Sequence, residues 1–213
     1  MSQEIVKSVG YSQTEILKDI VKLYIPTGRI EADVTYSKGV FYKDGSVKRP
    51  RYRFDILPQT EDTRKADCRD LPIKSNSIGS MIFDPPFLAT SGKSLEKEGD
   101  NNLMLRRFGY YPNERELHRF YREALREAHR VLLNEGILIV KCQDKISSGK
   151  QYLSHVYLLN CAIEQGFYPE DIFVLIAKSR LTADWQAKNQ KHSRKFHSYF
   201  IVLRKSNTRI QYE

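Results

Sequence analysis

Ile137-Leu138-Ile139-Val140 restricts the fold more than any other stretch, because four consecutive aliphatic residues carry no polar alternation. Such a run is the form of a central strand buried on both faces, and that strand needs helices above and below its sheet. The flanking sequence supplies them. Upstream, Asn113 caps a helix with Glu116 three residues on, and Leu117, Phe120, Tyr121, Ala124, Ala128, Val131 and Leu132 form one apolar stripe that stops at Asn134-Glu135-Gly136. Downstream, residues 156–165 read as a helix crossing back over the sheet.

The same alternation extends to both ends of the chain. Ser12-Gln13-Thr14-Glu15 has capping-box form, and Ile16, Ile20, Leu23 and Tyr24 follow at helical spacing until Pro26 and Gly28. Short strands are predicted over 29–34, 51–56, 65–68 and 80–83, with two more over 172–177 and 196–203. Strands alternating with helices predict an α/β fold whose seven-stranded sheet is mostly parallel and lies between helices. Ligands then bind at the carboxyl ends of the strands. The length of 213 residues suits a single domain over 1–213.

Acids occupy those carboxyl ends. Asp33 precedes a turn-rich stretch ending in Gly39, Asp55 closes the second strand, and Asp67 with Cys68 closes the third. The fourth strand runs into Asp84-Pro85-Pro86-Phe87. Two prolines fix φ and supply no N–H, so this turn leaves the sheet with carbonyls available to other donors. A single acid at a strand end is most often a turn former bonded to its own backbone. Three such acids followed by this tetrapeptide, in this order, are a more specific signal.

Composition narrows the chemistry. Cys68, Cys142 and Cys161 are far apart with no CxxC pair, so neither a disulfide framework nor a zinc site is expected, and the thiols are expected to be buried. The five histidines show neither HExxH nor HxE…PCxxC spacing, and no metal is expected. A formal charge of +9 points to a polyanionic partner. No apolar run approaches the ~20 residues that span a bilayer, and the N-terminal residues lack the order of a signal peptide. A soluble, cytoplasmic protein without a membrane partner is expected.

Together these residues resemble the class I S-adenosylmethionine-dependent amino-methyltransferases, which modify exocyclic amines of nucleic-acid bases on a Rossmann-like fold. The family's catalytic motif is (Asp/Asn/Ser)-Pro-Pro-(Tyr/Phe/Trp), and Asp84-Pro85-Pro86-Phe87 matches it throughout. Over about residues 30–204 the chain is most similar to small DNA methyltransferases of bacteria and their viruses. The resemblance implies S-adenosylmethionine as cofactor and an amine of a flipped-out DNA base as substrate. An Asp-led motif favours adenine N6. Cytosine N4 and an RNA base remain alternatives, as does a nucleic-acid-binding protein that keeps the fold without the chemistry.

The chemistry explains the motif. An exocyclic amine has its lone pair delocalised into the ring until acceptors draw on its hydrogens, a role for the Asp84 carboxylate and the Pro85 carbonyl, with Phe87 stacking on the base. The resemblance further implies Asp33 and Gly39 near the methionine part of the cofactor, Asp55 on the ribose hydroxyls, and Asp67 with the Cys68 N–H at the adenine. One departure is visible: the family's glycine-rich first loop is reduced here to Asp33 and Gly39. Phe41 and Tyr42 in the short segment that follows are expected in the core.

Two segments are candidate nucleic-acid-binding loops. Residues 88–112 form a long polar connection with Arg106, Arg107, Tyr110 and Tyr111. Residues 178–195 carry Lys178, Arg180, Trp185, Lys188, Lys191, Arg194 and Lys195, suited to phosphates. Lys141 to Asp144, following the central strand, are expected to line the pocket.

Overall fold

In a computed structural model, residues 5–87, 89, 111–147, 149–179, 188 and 190–208 are described. Their order is β1 (Val9–Gly10), α1 (Gln13–Tyr24), β2 (Ala32–Asp33), β3 (Tyr52–Asp55), β4 (Arg64–Lys65), β5 (Ile78–Phe83), α2 (Glu114–Val131) and β6 (Leu132–Cys142). β7 (Lys145–Ser147), β8 (Lys150–Tyr152), α3 (Ser154–Glu164), β9 (Phe167–Ile176) and β10 (His197–Lys205) follow. The main sheet runs β1-β9-β10-β6-β5-β2-β3-β4, and β7 and β8 form a separate antiparallel hairpin.

Only β10 runs against its neighbours, so the expectation of a mostly parallel sheet holds. The count is eight strands rather than seven. The addition is β1, a two-residue edge strand pairing Val9 with Val174 and Gly10 with Leu175, too short for any periodicity to announce it. The third strand is also earlier than expected: β4 ends at Lys65, and Asp67 and Cys68 lie in a turn closed by a bridge between Asp67 and Asp70.

Alternation along the central strands explains the layers. Met81 and Phe83 of β5 and Leu138 and Val140 of β6 pack with Leu117, Tyr121, Leu125, Leu158 and Ala162 from α2 and α3. Ile82, Ile137 and Ile139 face the other way, toward Ile16, Leu17 and Ile20 of α1. Phe41 and Tyr42 join that second cluster, as expected, and Phe41 packs edge-on against Phe200. All three cysteines are buried free thiols. No helix among the described residues is long and apolar enough to cross a membrane.

α2 does not run out to Gly136 as its stripe suggested but passes straight into β6 at Leu132. Glu135 adopts φ +62°, and a Cβ on Gly136 would meet the Leu133 carbonyl at 2.8 Å, so only glycine fits this bend. Lys205, at the end of β10, closes the junction. Its ammonium donates to the Asn76 side chain (2.6 Å) and to the carbonyls of His129 (2.7 Å) and Leu132 (2.9 Å), placing a cation at the helix C-terminus. Lys205→Met keeps the stem but leaves three acceptors, the Leu132 carbonyl buried among them, without their donor, and is expected to lower unfolding free energy by roughly 2 kcal/mol in urea titrations. An unchanged midpoint and slope would refute this account of the junction.

Chain order fixes where a ligand belongs. From β2 the chain steps outward through β3 to β4, then returns to the other side of β2 as β5 and continues to β6. The reversal between β2 and β5 opens a crevice at their carboxyl ends. Asp33 ends β2, Asp55 ends β3 and Asp84 follows β5, so topology alone gathers these acids along one rim.

Candidate active site

The Asp84–Phe87 turn is stitched to its surroundings at three backbone points. The Asp84 N–H donates to Thr35 Oγ1 (2.8 Å), the Pro86 carbonyl accepts from the fully buried Tyr121 hydroxyl (2.9 Å), and the Phe87 carbonyl accepts from the Lys145 ammonium. Among the described residues no donor reaches the Pro85 carbonyl. A rigid turn thus keeps one acceptor unused, beside the carboxylate that precedes it.

Among the described residues, Asp84 pairs with one cation. Lys141 Nζ lies 3.2 Å from Asp84 Oδ2, 5.1 Å from the Phe41 ring centre and 5.8 Å from the Phe200 ring centre. Two ring faces and the Gln13 side chain, whose Oε1 is 3.5 Å away, direct the ammonium at the carboxylate. Burial pushes the Asp84 pKa up, and Lys141, by charge and by hydrogen bond, pulls it back. Sequence reasoning placed Lys141 only as a lining residue. Its signal was a lone cation directly after an apolar strand, in register beside the acid of the neighbouring strand.

Asp33 is buried, with both oxygens engaged: Oδ1 accepts from the Thr35 N–H (3.0 Å) and Oδ2 from the Tyr42 hydroxyl (2.9 Å). Tyr42 in turn stacks on Tyr36 (centres 5.5 Å apart), and the Tyr36 ring occupies the space a Cβ would take on Gly39, at φ +60°. In place of a glycine-rich cradle, the first loop is braced internally by tyrosines. Burial pushes the Asp33 pKa up to about 7 against these two hydrogen bonds.

That shift has a signed consequence. A carboxyl whose folded pKa is raised contributes stability that is fully present below its unfolded value, near 4, and is lost as pH rises through about 7. Asp33→Asn cannot ionise and should therefore flatten this limb. Relative to the variant, wild type is expected to lose about 2 kcal/mol between pH 5 and pH 8 in chemical denaturation. Parallel curves for the two proteins would exclude a buried Asp33 that ionises in this range.

The other predicted residues are distributed around the rim. Asp55 accepts from the Ser37 N–H and the Leu57 N–H, both at 2.8 Å, and the apolar side chains of Ile56 and Leu57 beside it are exposed. Asp67 is held by Arg69 (2.7 Å), which lowers its pKa, and Cys68 is buried in the core cluster. At the end of β6, the Gln143 amide donates to the carbonyls of Lys195 (3.4 Å) and His197 (2.8 Å). This ties the returning end of segment 178–195 to the crevice rim, while the Ala177 N–H closes its stem on the Phe196 carbonyl (2.7 Å). Lys178, Lys188, Lys191 and Arg194 are exposed and Lys195 is half-buried. Arg180 and Trp185 lie outside the described residues, as do Arg106, Arg107 and Tyr110. Segment 88–112 is described only at Ala89, Tyr111 and Pro112, where Ala89 and Tyr111 pair in parallel.

Structural comparison gives this architecture its name. A protein of Galdieria sulphuraria assigned as a sarcosine dimethylglycine methyltransferase aligns over 96% of this chain and 94% of its own, with 12% identity and a TM-score of 0.54. The [4+2]-cyclase SpnF aligns over 94% and 85%, with 13% identity and a TM-score of 0.53. A protein of Thermus thermophilus assigned as a DNA modification methylase aligns over 76% of this chain, with 15% identity and a TM-score of 0.46, and the chain spans 57% of that protein's length. No protein-family model and no curated protein matches the sequence. The fold is the Rossmann-like class I methyltransferase fold. A cyclase on the same fold shows that the reaction has to be argued from the site.

Proposed function

We propose that this protein is an S-adenosylmethionine-dependent methyltransferase acting on an exocyclic amine of a DNA base, adenine N6 foremost. The observation that carries this reading is the turn itself: a carboxylate followed by a proline carbonyl that no donor among the described residues reaches, at the switch point, on a backbone anchored by Thr35, Tyr121 and Lys145. Two acceptors so placed match the two hydrogens of an amino group. Accepting both frees the nitrogen lone pair from the ring, so that it can act as a nucleophile. Phe87 follows as a stacking surface for a base removed from the duplex.

The rim fits the adenosine half of the cofactor. Asp55, a carboxylate acceptor at the end of β3, would take the ribose hydroxyls, with exposed Ile56 and Leu57 available to a purine face. Asp67 and the Cys68 backbone lie one strand further out. The methionine half would meet a first loop braced by Asp33, Tyr42 and Tyr36 around Gly39. Bound there, S-adenosylmethionine would supply a sulfonium-activated methyl group to the amine. Asp84, already paired with Lys141, is positioned to take the proton that the methylated amine must lose.

The basic segment 178–195, tied back to the rim through Gln143, supports a polyanionic substrate and gives phosphates a site beside the turn. Segment 88–112, which leaves directly from the tetrapeptide, is the second arm of this reading. The test has two parts. Calorimetry is expected to show S-adenosylmethionine binding, and its absence would overturn the enzyme reading. Transfer of a tritiated methyl group to unmethylated DNA, followed by mass spectrometry of nucleosides, is expected to yield N6-methyladenine. Label recovered in N4-methylcytosine corrects the base, and label recovered only from RNA overturns the DNA assignment.

A further inference from the structure

A groove of ≈610 Å³ runs along α2, lined by Arg115, Glu116, His118, Arg119, Arg122 and Tyr157 of α3. A second, of ≈390 Å³, shares Arg115 and continues past Lys150 and Ser147 of the β7–β8 hairpin to Ala89, two residues beyond Phe87. The two form one channel that starts where the active-site turn ends. The hairpin is fixed to that turn, since Lys145 holds the Phe87 carbonyl while pairing with Glu114 at 3.0 Å.

Cations outnumber acids along this channel. Arg115, Arg119 and Arg122 line it at i, i+4 and i+7, and Arg126, at i+11, continues the same exposed stripe beyond the lining, over roughly 16 Å of helix in all. An ordinary solvated face balances such a stripe with acids. Here Glu114 is taken by Lys145, Glu116 by Arg119 (2.6 Å), Glu123 by Arg69 (3.2 Å) and Glu164 by Arg122 (2.8 Å). Among the described residues, Arg115, Arg126 and Lys150 form no ion pair, although the Arg126 charge helps to lower the Glu127 pKa. An aromatic platform accompanies the cations: His118 and Tyr157 stack at 3.8 Å and 10°, and the Tyr157 hydroxyl is anchored on the His118 carbonyl (3.1 Å). Burial lowers the His118 pKa, which favours the neutral ring.

We propose that this channel, with the exposed face that continues from it to Arg126, carries the nucleic-acid strand flanking the target base, with phosphates on Arg115, Arg126 and Lys150 and a base against the His118–Tyr157 pair. The reading rests on the nucleic-acid substrate proposed above and adds a second contact surface, built from α2, α3 and the β7–β8 hairpin rather than from segment 178–195. A strand fits better than a small anion because the cations extend over several phosphate spacings and the channel opens at the active-site turn. Single-stranded chain also offers bases for stacking, which a duplex does not.

The test is fluorescence anisotropy with a labelled 20-nucleotide single strand, over a series of salt concentrations, using the full chain. Arg115→Ala/Arg126→Ala is expected to weaken binding at least ~10-fold near 0.1 M salt and to reduce the salt slope by about two, since each lost phosphate contact removes about one. Arg115→Lys/Arg126→Lys should retain the slope, and Tyr157→Leu should weaken binding without changing it. Thermal melting and cofactor binding should be unchanged in the arginine variants, separating contact from fold. If wild type binds the strand and the alanine variant binds it equally with the same slope, this proposal falls and the substrate reading stands. If wild type binds neither DNA nor RNA, both fall.

Discussion

Asp84→Ala is expected to lower methyl transfer to DNA by about 10²- to 10³-fold at saturating cofactor, the scale set by removing one preorganised polar group from a reacting centre. The carboxylate would be one of two acceptors that localise the amine lone pair, so its loss falls on kcat rather than on substrate affinity. Cofactor affinity should change little, because Asp55, not Asp84, would hold the ribose. Folding should survive as well. The turn is held through the Asp84 N–H, the Pro86 carbonyl and the Phe87 carbonyl, none of which depends on this side chain. Wild-type turnover in the alanine variant would remove Asp84 from the chemistry. A variant that fails to bind cofactor would instead place it in the cofactor site.

Much of this arrangement was legible in the sequence because it depends on local patterns. Apolar runs in β5 and β6 and the capped stripe of α2 are properties of a few neighbouring residues, and the rim follows from strand order. The two contacts of the Asp84–Phe87 turn that matter most are not local. Lys141 reaches the carboxylate from an adjacent strand, across 57 residues, and Tyr121 reaches the Pro86 carbonyl from α2. The β7–β8 hairpin escaped notice because Lys145-Ile146-Ser147 and Lys150-Gln151-Tyr152 are too short and polar to alternate. The first loop was half readable. Asp33 and Gly39 were visible as an acid and a glycine, but the tyrosine brace depends on left-handed φ values at Ser37 (+49°) and Gly39 (+60°), which are tertiary outcomes. Asp67 shows the converse, since its partner Arg69 lies only two residues along.

Lys141 carries the second large effect. Ionised, Asp84 is an acceptor at both oxygens and can take up a proton, whereas protonation turns one oxygen into a donor; burial pushes the Asp84 pKa up, with Lys141 as its counterweight. In Lys141→Met the thioether chain can keep contact with Phe41 and Phe200, but the charge facing Asp84 is gone. Asp84, half-buried and without its counter-ion, then takes up a proton more readily. The acid limb of kcat/KM should move to higher pH, with a loss of about 10²-fold or more at neutral pH that recovers as the solution is made alkaline. The direction is fixed by the sign of the charge: removing a cation disfavours the ionised carboxylate, so more hydroxide is needed to restore it. Lys141→Arg should hold the limb near its wild-type position. A Met variant with an unshifted limb and a uniform loss would show that Lys141 acts by packing, whereas a limb shifted to lower pH would contradict the pairing with Asp84.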